Sequence, residues 1–318
     1  ASVGESGDLA AAMDMGATIG AYLRQYGFNL DFAPVADVNS NPKNTVIGTR
    51  AFSSDADVAA GMAKAMAEGL KQEQIIPTFK HFPGHGDTAE DSHVGIAVSY
   101  KTKAEMEACE WLPYASLTAQ DCVMVGHIAA RAFTGDLTPA SMSGEIVGGI
   151  LRQQLNFPGV VITDSLEMGA ITQEYSPAEA AVTAIEAGCD ILLCPEDLQA
   201  AFEAVMNAAE NGTISQACID ESVSRILLLG KLLHREIKKI LHPKHISVIT
   251  VDGQLVEDRV VSSAAAYMVA YMILLLGGAT LLAWDNLGFT ESFTAVLTCL
   301  GNVGPGLGRL GPAGNFSP

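Results

Sequence analysis

Ile75-Ile76-Pro77-Thr78-Phe79-Lys80-His81-Phe82-Pro83-Gly84-His85-Gly86-Asp87-Thr88 is the stretch on which the reading of this chain turns. An apolar run from Ile75 to Phe79 has the length and composition of a buried strand. It gives way without warning to a polar, glycine-rich segment, and Asp91-Ser92-His93 follows directly. Polar loops at the end of a buried strand carry chemistry more often than packing. Gly84 and Gly86 open backbone conformations closed to other residues, and Pro83 stiffens the entry, so the loop is expected to have a defined shape.

Lys80 and His81 sit at the strand end and can donate to a polar ligand. Asp91 and His93 are two residues apart and can face each other in a turn. A carboxylate beside an imidazole orients the ring and stabilises its protonated form, as a general acid and base near neutral pH requires. One histidine in such a loop would read as a solvated residue; three within so few positions argue for chemistry. The rival functional reading is a metal site built from His81, His85, Asp87 and His93. No HExxH and no paired CxxC accompanies them, so acid/base work ranks above metal, and no metal or cofactor is expected.

Outward from this loop, short apolar segments alternate with longer helical ones. Strands are expected near Leu30 to Val35, Ile75 to Lys80, Cys122 to His127, Val160 to Asp164 and Asp190 to Leu193. Helices are expected near Asp8 to Tyr26, Asp55 to Gln74, Lys103 to Ala119, Ser143 to Leu155, Pro177 to Ala187 and Leu198 to Asn211. That alternation implies an α/β fold with a parallel sheet, either open and doubly wound or closed into a barrel. Polar candidates gather just after strands: Asp37, Lys80 with His81, His127 and Asp164. An eight-stranded α/β barrel places its active site on that face. Asp164 ends the run Val160-Val161-Ile162-Thr163, which presents a carboxylate at the mouth of the sheet. It is equally placed to cap the next helix, and position alone leaves both open.

The chain has 318 residues, 49% of them hydrophobic, with a formal net charge of −18. Residues 1–230 carry 11 basic and 30 acidic side chains, whereas residues 231–318 carry 7 and 6. An acidic front argues against nucleic acid as a partner, because phosphate binding needs clustered Lys and Arg. Cys109, Cys122, Cys189, Cys194, Cys218 and Cys299 show no compact framework and read as free thiols in a reducing compartment. The opening Gly4 to Gly20 is a small-residue, helix-like run without a secretory pattern, and the true start is expected to lie upstream.

KHFPGHGDT followed by DSH resembles the signature of the family 3 glycoside hydrolases, in particular the β-N-acetylhexosaminidases. Five further pieces stand in family order: DFAPVADV at Asp31 to Val38, VIGTRAFS at Val46 to Ser53, VMVGH at Val123 to His127, PAS at Pro139 to Ser141, and VVITDSLEM at Val160 to Met168. The resemblance covers roughly the first 230 residues. It implies a (β/α)8 TIM-type barrel lacking its N-terminal strands, since only five strands are counted. The family's acidic Asp-Gln-Glu-Gly-Gly motif on an earlier strand does not occur here. By the same resemblance Asp164 is the nucleophile of a retaining, two-step hydrolysis, His93 its general acid and base, and Asp91 the orienting partner. Arg50, Lys80 and His81 would hold the sugar. His85 and His127 would shape the site by hydrogen bonding, and Asp37 is either a rim residue or a supporting partner. The implied substrate is a glycan or cell-wall fragment ending in β-linked N-acetylglucosamine. A histidine acid/base leaves less negative charge near the incoming nucleophile, so phosphorolysis stands as a minority alternative.

From about Arg225 the character changes. Arg235-Glu236-Ile237-Lys238-Lys239-Ile240-Leu241-His242-Pro243 is basic, and Val260 to Trp284 runs 25 residues without a charge. At about 1.5 Å per residue this crosses a hydrocarbon core of about 30 Å. The basic flank puts the N-terminal side in the cytoplasm. Thr290 to Leu300 and the loop Gly301 to Gly308 have the form of a half-helix feeding a re-entrant pore loop. Together these resemble the last-repeat region of the Trk-type potassium uptake transporters over 225–318. The expected organisation is therefore a hydrolase domain over 1–230 and a transmembrane, pore-loop-like fragment over 231–318. The catalytic part is expected in the cytoplasm, anchored to the membrane through Val260 to Trp284. An inactive chimeric product is the alternative to a working enzyme.

Overall fold

The computed structural model describes residues 2–89, 92 and 95–241. Seven strands form among them: β1 (Leu30–Asp31), β2 (Ile76–Phe82), β3 (Ala97–Ser99), β4 (Cys122–Val125), β5 (Ile128–Ala130), β6 (Val160–Ser165) and β7 (Ile191–Leu193). All five expected strands enter one parallel sheet of order β1-β2-β4-β6-β7. Its register sets Leu30 beside Ile76, Thr78 beside Cys122, Cys122 beside Val160 and Ile162 beside Ile191. The chain beyond β1 keeps following β2 without a full ladder, with Thr78 N donating to Ala33 O at 2.8 Å and Ala36 N to Lys80 O at 2.7 Å. That run delivers Asp37 to the end of β2. A parallel pair, β3 with β5, stands apart from the main sheet and was not expected; each strand is three residues long, below what periodicity can detect.

Helices return the chain between strands, and their starts are written in the sequence. Asp8 caps Leu9–Gln25 through Ala10 N at 2.9 Å, Asp55 caps Ala56–Gln72 through Val58 N at 3.0 Å, and Asp197 caps Leu198–Glu210 through Ala200 N at 3.0 Å. Ser176 and Glu179 form a capping box ahead of Pro177–Ala187. The helix expected over Lys103 to Ala119 is a correction. It stops at Ala108, and Leu112–Tyr114 makes one tight turn. Pro113 offers no N–H and disfavours helical geometry at Leu112, while Trp111 and Tyr114 turn inward and are buried.

The strands are apolar on both faces, as a parallel sheet covered by helices requires. Phe79, Phe82, Val123, Val125 and Val161 share a core with Trp111, Tyr114, Ile146, Leu151 and Phe157. Phe82 meets Tyr114 edge to face at 5.1 Å between ring centres. Two ion-pair clasps close the N-terminal ends of the strands. Lys71 reaches Asp121, just before β4, at 2.7 Å. Asp190, just before β7, is gripped by Arg152 and by Arg225 Nε at 3.0 Å, while Ser222 Oγ and Val161 N donate to it at 2.7 and 2.8 Å.

The final helix runs unbroken over Gln216–Leu241, through the point where the sequence reading places its domain boundary. Among the described residues no helix is long and apolar enough to cross a membrane. The span expected at Val260 to Trp284 and the pore-loop-like stretch after it lie outside the described residues.

Candidate active site

Four strand ends and one turn converge on the C-terminal side of the sheet. Asp37 is buried there and organises the histidine loop. Its carboxylate accepts His81 N at 3.2 Å on each oxygen, His81 Nδ1 at 2.7 Å and His85 N at 2.6 Å. Burial pushes the Asp37 carboxyl up, but the charge and hydrogen bond of His81 and the N–H of His85 outweigh it and hold the group below its ordinary value. Because Nδ1 carries the proton that faces Asp37, the imidazole of His81 has a fixed orientation. Asp37 is thus a supporting partner and not a rim residue.

The loop itself is held by close backbone approach. A Cβ on Gly86 would lie 1.8 Å from Val38 O, so no larger residue fits. Asn44 spans the turn, with its side-chain amide donating to His85 O at 2.6 Å and to Thr88 O at 2.8 Å. Its carbonyl accepts Ile47 N at 2.7 Å, which fixes the segment leading to Arg50. The side-chain amide nitrogen of Asn44 and the carboxylate of Asp37 reach partners more than 40 positions away in the sequence.

Asp164 stands near the end of β6, partly exposed, and accepts Ser165 N at 2.8 Å. Burial pushes its carboxyl up, and the positive fields of His81, His127 and Lys80 together with the Ser165 N–H bring it below the ordinary carboxylate value. Lys80, at the end of β2, is held below the usual lysine range by burial and by Arg50, and Asp164 and Asp31 pull against that shift. Lys80, His81 and Asp164 are therefore brought within electrostatic reach of one another at the ends of β2 and β6. Arg50 is exposed at the end of a single turn, with Nη2 on Val46 O at 2.8 Å, and its charge is felt at Lys80.

His127 is buried and donates from Nε2 to Ser165 O at 2.8 Å, since a carbonyl can only accept. Ser141 Oγ meets its Nδ1 at 2.8 Å. The ring thus braces the backbone that carries Asp164. Ser141 is the serine of the PAS stretch. Asp91 and His93, read as the acid/base pair, lie outside the described residues.

The metal reading meets side chains already committed. Both ring nitrogens of His85 are engaged, by Thr88 Oγ1 at 2.6 Å and Ser92 Oγ at 2.9 Å. Nδ1 of His81 is engaged by Asp37, and Asp87 accepts Ser99 Oγ at 2.7 Å. Among the described residues no three His, Cys, Asp or Glu side chains converge to hold a metal ion. Those side chains fix the loop, and His81 also adds positive charge beside Asp164.

Comparison with known proteins bears on this geometry. The family described as the glycosyl hydrolase family 3 N terminal domain matches residues 1–229. Beta-hexosaminidase A of Pseudoalteromonas piscicida is 32% identical over 247 residues, which is 71% of this chain and 41% of that protein. Beta-hexosaminidase LpqI of Mycobacterium tuberculosis is 35% identical over 223 residues, 67% of this chain and 57% of that protein. Among solved structures, a glycoside hydrolase family 3 beta-N-acetylglucosaminidase from Paenibacillus sp. str. FPU-7 superposes with a TM-score of 0.70 at 35% identity, covering 81% of this chain and 49% of that one. The chain spans about half the length of these relatives. None of the three is a potassium transporter, and the family match ends at residue 229.

Proposed function

The chain belongs to glycoside hydrolase family 3, and from that premise we propose that it is a retaining β-N-acetylhexosaminidase removing terminal β-linked N-acetylglucosamine from glycans or cell-wall fragments. The observation that carries the reading is Asp164, kept ionised at a strand end by His81, His127 and Lys80. A nucleophilic carboxylate must be charged at the working pH and reachable, and Asp164 meets both needs.

In the first displacement an Asp164 oxygen attacks the anomeric carbon while His93 gives its proton to the departing oxygen. The product is a covalent glycosyl-enzyme. In the second, His93 takes a proton from water, which attacks the same carbon and releases the sugar and the Asp164 carboxylate. Asp91 orients His93 and stabilises its protonated form. Lys80 and His81, with Arg50 beside them, hold the sugar hydroxyls and the N-acetyl group. Catalysis is assigned to the cytoplasm, a reading supported by the free thiols Cys109, Cys122, Cys189, Cys194 and Cys218.

The test is nitrophenol release from a nitrophenyl β-N-acetylglucosaminide by the full chain, beside Asp164→Ala and His93→Ala. Turnover in the parent that both variants lose supports the assignment. A folded parent with no turnover refutes it.

A second reading, of a transporter fragment joined behind the hydrolase domain, is favoured by the uncharged run Val260 to Trp284 and by the end of the family match at 229. Carbonate-resistant membrane association of the full chain would support it. Complete recovery in the soluble fraction would refute it.

A further inference from the structure

Where β6 and β7 run together at the site, β6 carries one residue more. Ile162 stands beside Ile191, but the next matched pair is Ser165 with Leu193, three residues on in one strand and two in the other. β2 does the same against β4: Lys80 pairs with Met124 and Phe82 with Val125, so His81 is surplus, and its N–H goes to Asp37 at 3.2 Å. Surplus residues of this kind gather beside active sites, where they re-aim a side chain.

The hydrogen bonds around Leu193 show what the shift in β6 achieves. In a parallel ladder, a residue that turns its N–H and carbonyl to the next strand bonds the two residues flanking the one opposite. Unbroken pairing from Ile162 and Ile191 would set Leu193 opposite Asp164. The Leu193 N–H would then meet the Thr163 carbonyl, and the Leu193 carbonyl would take the Ser165 N–H. With Ser165 opposite instead, the Leu193 carbonyl takes Leu166 N at 2.9 Å, one residue further on. The Leu193 N–H meets the side chain of Thr163, with Oγ1 at 2.9 Å. The Ser165 N–H is turned to the Asp164 carboxylate, which accepts it at 2.8 Å. Against burial, which pushes that carboxyl up, this N–H works with the charges of His81, His127 and Lys80 to keep the group ionised.

We propose that Thr163 is a positioning residue for the nucleophile: its buried hydroxyl stands in for its own carbonyl at Leu193, shifts the β6–β7 register by one residue, and so releases the Ser165 N–H to orient the Asp164 carboxylate. The proposal rests on the reading of Asp164 as nucleophile given above. Thr163 touches no substrate. It sets the direction in which an attacking oxygen points, and small displacements of a reacting group are costly.

NMR of the full chain reads the register directly, through couplings that cross a hydrogen bond from an amide nitrogen to a carbonyl carbon. The parent should link the Leu166 nitrogen to the Leu193 carbonyl. A link from the Ser165 nitrogen in its place, or no link from Leu166, would overturn the proposal without any variant having to fold.

Turnover gives the second readout. Thr163→Val removes the hydroxyl at nearly constant shape, and Thr163→Ser keeps it. Thr163→Val should lower kcat/KM on a nitrophenyl β-N-acetylglucosaminide about 10-fold or more and leave the inhibition constant of free N-acetylglucosamine within about twofold, with Thr163→Ser within about threefold of the parent. An equal loss in Thr163→Ser, a weakening of N-acetylglucosamine that matches the fall in turnover, or undiminished turnover in Thr163→Val would overturn the positioning role. The first two are what general damage to the sheet produces. A parent without turnover refutes the nucleophile reading and the positioning role with it, while the Leu166–Leu193 link still decides the register.

Discussion

Replacing Asp37 by Asn is an isosteric change that removes one charge and turns one acceptor into a donor. In the parent that carboxylate serves three donors: His81 N, His81 Nδ1 and His85 N. The amide oxygen can keep His85 N, but the amide nitrogen then points a hydrogen at His81 Nδ1–H. Hydrogen bonds to a charged acceptor contribute about 1.5–3 kcal/mol each, and a buried donor left unpaired costs a comparable amount, so the net loss is about 3 kcal/mol. For a domain of this size that lowers Tm by about 6–12 °C. The pH dependence has a definite sign. The folded-state pKa of Asp37 lies below the ordinary 3.8, so its contribution is full above pH 3.8 and is lost as pH falls through the folded value. The Tm gap between parent and Asp37→Asn should therefore be widest near neutrality and close below pH 3.8. Scanning calorimetry across that range is the assay. A gap under about 2 °C at pH 7, or one that widens in acid, would refute the view that Asp37 organises the loop.

Asp164→Asn should keep the fold and cut turnover on the nitrophenyl substrate by about 10⁴-fold or more; residual activity above a few per cent would sink the nucleophile assignment. Since the Asp164 carboxyl lies below 3.8, the nucleophile should stay ionised down to that pH, and an acid limb of kcat/KM centred higher should persist when Lys80→Met raises the Asp164 pKa slightly. Gly86→Ala forces a methyl into Val38 O and should cost about 3 kcal/mol or more, read as lost soluble yield and a lowered urea midpoint; a wild-type midpoint would contradict the close approach. Asp190→Ala strands two arginines, one largely buried, and should cost about 3–5 kcal/mol in the same assay, with Arg225→Ala costing less because that guanidinium is nearer solvent.

How much of this was legible beforehand depends on the range of the forces involved. The five sheet strands were readable because each is an apolar run bounded by polar residues, and the helix starts because Asp8, Asp55, Ser176 and Asp197 act on amides two or three positions ahead. The break at Pro113 was visible in composition but lost to a helical count of Lys103 to Ala119. At the site, Lys80, His81 and Asp164 could be picked out as polar residues at strand ends. Asn44, Ser92 and Ser141 could not. Each is a common polar residue that also bonds a partner 7 to 44 positions away, the span of Asn44 to Thr88 being the longest. Only the folded chain brings those pairs together.

Asp121, Asp190, Asp37 and Asp164, all buried or half-buried near strand ends, divide by how completely they are neutralised. Asp121 and Asp190 precede strands and meet full cations, Lys71 in one case and two arginines in the other. Such groups fasten the N-terminal ends of the sheet, their charge met by direct contact with a cation. Asp37 follows a strand run but is saturated by N–H donors, which leaves it equally inert. Asp164 is treated differently from these three. Among the described residues it accepts one hydrogen bond, from Ser165 N, and its charge is balanced by surrounding positive field and not by contact. A field lowers the pKa without occupying the oxygens, so the carboxylate stays both ionised and available. That combination is what nucleophilic attack needs, because a lone pair tied up in a salt bridge must be released before it can form a bond. The same sheet thus spends its acidic residues on clasping at one end and on reactivity at the other, and the difference is set by which donors the strand ends bring within reach.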